Sequence, residues 1–164
     1  MISFPRVPEP SSLLSMEGLS QRAQALVQEC RQMPGQARPR PIESICQDAQ
    51  RLRSVGEQGN CAAILIHVTD LCRSQGRLGP ALRYCEHAEK LYSAWPENRR
   101  KHNHAVALYS LGLLHQLLGS DADALDCYSR ALEEFEEARD EWKARQGSDP
   151  EAPRALEKCE EILP

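Results

Sequence analysis

Shifted by 43 residues, the stretch 60–145 of this chain matches itself, and that self-similarity constrains the fold more than any other feature of the sequence. The shift superposes Gly76 on Gly119, Ala81 on Ala124, Leu82 on Leu125, Ala88 on Ala131 and Leu65 on Leu108. It also brings Tyr84-Cys85 onto Cys127-Tyr128, a pair with its order exchanged. Small and large residues thus recur at equivalent places. Small side chains let helices approach closely and large ones fill the hollows opposite, which is what stacked helical hairpins require. Composition agrees, because 5% aromatic residues leave little to fill strands, and the apolar share is mostly Leu and Ala. We therefore expect an all-α fold.

Breaks in the apolar periodicity divide the chain into about seven predicted helices. Three prolines in the first ten residues predict a mobile arm over 1–12. An N-terminal hairpin follows over 13–59. Its first helix is expected from Leu13 to Met33, its second from Ile42 to Val55, with Pro34–Pro41 between them. Four helices occupy 60–145: from Asn60, a candidate N-cap, to Gln75; from about Pro80 to Ala94; from Glu97 or His104 to Leu118; and from Ser120 or Asp121 to Arg145. Asp149-Pro150 opens a final capping helix within 146–164.

Over residues 60–145 the chain resembles the tetratricopeptide repeat family. In the second unit, 103–145, Leu108, Leu111-Gly112, His115, Gly119, Ala124, Tyr128 and Ala131-Leu132 fall at that family's signature positions. In the first, 60–96, the corresponding residues are Leu65, Val68-Thr69, Cys72, Gly76, Ala81, Cys85 and Ala88. Both units lack the family's tryptophan, and the spacing exceeds the usual ~34 residues, as in longer-helix variants related to kinesin light chain. The resemblance implies a short right-handed superhelix and a protein-protein interaction module, an adaptor or scaffold that takes a partner peptide or helix in a concave groove. Carried over residue by residue, the groove face comprises Ala63, Ile66, Asp70, Arg73 and Ser74 from the first unit and Val106, Tyr109, Leu113, Gln116 and Leu117 from the second. Ile66 and Asp70 stand where relatives that clamp acidic chaperone tails hold Lys and Asn, which argues against that ligand. Two units need neighbours to bury their faces, so the flanking segments are expected to act as caps.

Other chemistry finds little support. The phosphate-cradling, zinc-helix and nucleophile-elbow motifs are all missing, so we expect no enzyme and no cofactor. Seven cysteines without a C-x-x-C pair read as buried apolar residues in a reducing, cytoplasmic setting, not as a metal site. His102 and His104, two apart on a helix, point in different directions and sit beside Arg99, Arg100 and Lys101, which opposes a metal there. The RRKHNH run reads as a solvated basic helix start or a docking patch for an acidic partner. Residues 119–164 carry 14 Asp and Glu against 6 Lys and Arg, which repels nucleic acid, and Glu133 to Glu141 read as a solvated face. No apolar run reaches the ~18 residues of a membrane span and no secretory signal is evident, so a soluble protein is expected. Two alternatives remain open: self-association through an exposed face, and a small-ligand site near His67, Asp70 and His115.

Overall fold

A computed structural model describes residues 8–15, 18–54, 57–94 and 100–144. Among them are six α-helices, packed against one another, and no strand. They are α1 (Gln21–Gln32), α2 (Ile42–Ser54), α3 (Gln58–Ser74), α4 (Leu78–Ala94), α5 (Arg100–Leu117) and α6 (Asp121–Ala144). The expected seventh helix, from Pro150, lies outside the described residues, as does Met1–Val7 of the expected arm.

The two hairpins of the sequence repeat end their first helices with the same device. Gly76 has φ +73° and Gly119 φ +81°, a left-handed conformation that glycine adopts at no steric cost. In each case the next amide closes the turn, Arg77 N–H donating to Cys72 O at 2.9 Å and Ser120 N–H to His115 O at 2.8 Å. Pro80 sits in the first turn of α4, where its missing N–H removes no helical bond. The helix start expected at Asn60 falls earlier, at Gln58: Glu57 takes the cap position, and the Asn60 amide donates to its carboxylate at 2.6 Å.

Helix α3 is buried on every side from Cys61 to Cys72, the signature of a helix enclosed by others. α1 and α2 pack on it, α4 pairs with it, and α5 touches it beyond α4. The N-terminal hairpin therefore supplies contacts that two repeats alone would lack. α5 in turn pairs with α4 and α6, and the core runs continuously from Val27 and Ile45 through Ile64 and Leu65 to Leu108 and Phe135.

The first helix departs from expectation. It starts at Gln21, where the Ser20 hydroxyl accepts the Ala23 N–H at 3.2 Å, and not at Leu13. Pro10–Leu13 instead form a single 3-10 turn, and Leu14 is extended at φ −63°, ψ 139°. Leu13 and Leu14 are adjacent, and both are buried completely or nearly so. The turn packs on both α3 and α5. Pro8–Ser12, expected to belong to a mobile arm, is thus part of the packed structure, because burying two leucines offsets the cost of ordering a short segment.

Candidate functional site

The face that α3 and α5 share carries the residues the sequence assigns to a groove, and the chain's own N-terminal segment lies on it. From α3, Ala63 and Ile66 are buried, Asp70 is buried, and Arg73 is mostly covered. From α5, Val106 is buried, Tyr109 and Leu113 are partly covered, and Gln116 and Leu117 are exposed, Leu117 at 58%. Ser74 is exposed. Ile66 and Val106 belong to the core and are not free to meet a partner.

Four hydrogen bonds tie this face to the backbone of Pro8–Ser15. Asp70 Oδ2 accepts the Ser11 N–H at 2.9 Å, and Tyr109 donates its hydroxyl to Pro8 O at 3.2 Å. His102 Nε2 lies 2.6 Å from Leu13 O, to which it donates, and Asn103 Oδ1 accepts the Ser15 N–H at 2.8 Å. One ion pair adds a side-chain contact, Arg73 Nη2 to Glu9 at 3.6 Å. His102 and Asn103 lie outside the groove face that the family resemblance implies. Asn103 sits one turn before Val106 on the same stripe, with Tyr109 a turn beyond, so helical spacing carried the signal.

The fit beneath the segment is incomplete. Asp70 Oδ1 makes an ion pair with Arg73 Nη2 at 3.3 Å but no hydrogen bond, and Arg73 Nη1 and His67 Nε2 also lack hydrogen-bond partners. A cavity of about 230 Å³ opens beside them, lined by Glu9, Ser11, Arg31, His67, Asp70 and Ser74 among others. His115, expected to join His67 and Asp70 around a small ligand, is not in its wall. A second cavity, about 520 Å³, is lined by Pro8, Glu9, Arg73, Leu113, Gln116 and Leu117.

Burial sets the charges here. It pushes the Asp70 carboxyl up to about 6, against the opposing pull of the Ser11 hydrogen bond and Arg73, and it lowers His67 to about 4, with Arg31 acting in the same direction. At neutral pH the imidazole is uncharged, and most Asp70 carboxyls are ionised.

The basic run at the start of α5 is not the solvated helix start expected of it, as far as its described side chains show. Lys101 pairs with Glu137 and Glu141 of α6 at 3.1 and 3.0 Å. His102 is buried, edge-on to Phe135 with ring centroids 5.5 Å apart. His104 bridges Glu89 of α4 and Glu134 of α6 at 2.9 and 2.6 Å. The two imidazoles diverge, as their spacing by two predicts. Part of the acidic run of α6 is accordingly a pairing surface for α5.

Cysteine chemistry is muted among the described residues. Burial raises the thiols of Cys30 and Cys85 to about 12 and those of Cys46 and Cys61 to about 11, which leaves them protonated and poor nucleophiles at neutral pH. Among the described residues no group of three or more His, Cys, Asp and Glu is placed to hold a metal ion. Nor is any described helix long and apolar enough to cross a membrane. Comparison with known proteins finds no matching family model, no matching curated protein and no matching solved structure.

Proposed function

We propose that this protein is a tetratricopeptide-like interaction module, an adaptor or scaffold without covalent chemistry, that takes a partner peptide on the face formed by α3 and α5. The observation that carries this reading is how that face holds Pro8–Ser15: four side chains bond to peptide backbone in and around the Pro10–Leu13 turn, which suits a short peptide segment. We further infer that α3–α4 and α5–α6 are two units of a right-handed stack. Their matching glycine caps support this, as do the buried alanines at equivalent places, Ala81 with Ala124 and Ala88 with Ala131. The buried, protonated thiols suit a reducing, cytoplasmic setting.

The accessible part of the face is its far end, where Leu113, Gln116 and Leu117 border the larger cavity. Leu117→Glu and Leu113→Glu place charge there without touching the core. With the full chain as bait in native extract, both variants should keep their helicity and lose a partner that the wild type retains. Retention of the same partner by both variants would remove this face from the interaction.

A further inference from the structure

Resting on that reading, we propose that Pro8–Ser15 is an exchangeable occupant of the α3–α5 face. The segment that displaces it comes from another protein and carries a carboxylate for Arg73, a long amide side chain over the smaller cavity and a Leu-Leu pair.

Three observations define that chemistry. First, the backbone bonds from Asp70, His102, Asn103 and Tyr109 are open to any chain of the same course, since they read no side chain. The anchoring side chains are Leu13 and Leu14, buried at 0% and 1% exposure, so an incoming segment needs an equivalent pair. Second, Arg73 is poorly served. The Glu9 carboxylate reaches it only at 3.6 Å while remaining 62% exposed, and Arg73 Nη1 has no hydrogen-bond partner. A carboxylate seated deeper would form the two-pronged pair that a guanidinium favours. Third, the short Ser11 side chain borders a cavity of about 230 Å³ in whose wall His67 Nε2 and Asp70 Oδ1 make no hydrogen bond. A glutamine at that position can donate to Asp70 Oδ1 and meet His67, filling space that serine leaves open. The built-in segment therefore satisfies the backbone-reading groups and leaves part of the side-chain recognition unused, so a better-matched segment has something to gain by replacing it.

The test uses the full chain and two labelled synthetic peptides, one with the sequence Pro8–Ser15 and one with Ser11→Gln. The Ser11→Pro chain loosens the built-in segment, because it deletes the N–H that Asp70 accepts while leaving α3 and α5 untouched. Loss of that charge-assisted bond should raise the apparent affinity for either peptide by about tenfold over wild type, since a larger fraction of the face is free. The Ser11→Gln peptide should bind several-fold more tightly than the native one. On binding, the backbone amides of Leu13 and Leu14 in the chain should lose protection from hydrogen exchange.

Failure of both peptides to bind a folded Ser11→Pro chain would overturn the proposal. So would a concentration-dependent dimer whose second copy fills the face in place of the peptide. If a partner is captured through Leu113 and Leu117 while Leu13 and Leu14 stay protected, exchange is refuted and the interaction reading stands. If neither peptide binds and capture is indifferent to Leu113 and Leu117, both fall.

Discussion

His104 joins three helices through one imidazole, with Glu89 on one nitrogen and Glu134 on the other. Burial disfavours the charged ring, but the two carboxylates together outweigh it and raise its pKa to about 9. In return, its hydrogen bond holds the Glu89 carboxyl below the usual range. An unfolded chain would titrate this residue near ~6.5, so the imidazolium's contribution is complete below that pH and is lost as pH rises through 9. Urea denaturation of wild type and His104→Gln should differ by about 2 kcal/mol at pH 6 to 7, with the gap closing by pH 10. A gap that does not change with pH would show that packing alone makes His104 matter. His102, two residues earlier, does a different job, because alternation by two on a helix turns it toward Leu13 and Phe135.

At the scale of elements, the two hairpins solve one packing problem in two ways. In α5–α6, Gly112 leaves room for Tyr128: a Cβ on Gly112 would stand 2.5 Å from the ring, closer than real side chains come. The Tyr128 hydroxyl continues to Gln116 Oε1 at 2.9 Å, and its ring lies 6.0 Å from that of Tyr109. In α3–α4 the equivalent residues are Thr69 and Cys85, both buried, so a larger residue on the first helix accompanies a smaller one on the second. The Thr69 hydroxyl is satisfied by Leu65 O at 2.7 Å. Gly112→Ala should therefore destabilise the protein by about 1–3 kcal/mol through overpacking. Adding Tyr128→Cys, which copies the first hairpin, should recover most of that loss, and a double-mutant cycle in urea measures the coupling. Strict additivity would mean that the two sites do not share their space.

For the whole molecule, the N-terminal segment closes the core. Leu13 and Leu14 join residues from every helix of the hairpins in one apolar cluster, and the segment's bonds reach both repeat units. Leu13→Ala should cost about 2–5 kcal/mol, the range for deleting a fully buried leucine, and thermal unfolding should remain one transition. A loss below ~0.5 kcal/mol would show that the face is stable when uncovered. Between the two outcomes lies the balance on which exchange depends, because an occupant that contributes stability is displaced only by a segment that contributes more.

Much of this organisation was legible in the sequence. The 43-residue self-similarity located both hairpins, and Gly76 and Gly119 marked helix ends, because those signals act within a few residues of chain. The resemblance to tetratricopeptide repeats likewise implied one surface for Asp70, Arg73, Tyr109 and Leu113. Only the tertiary structure decided what covers that surface. Leu13 and Leu14 fit the spacing of an amphipathic helix when read locally, yet both are buried and their segment is bonded to Asp70 of α3 and His102 of α5, contacts that no local pattern encodes. The fates of His102, His104 and Lys101 were hidden for the same reason: a charged or imidazole side chain reads as solvated until the fold brings its partners within hydrogen-bond reach. Periodicity and caps are properties of a segment, whereas occupancy and pairing are properties of the packed whole.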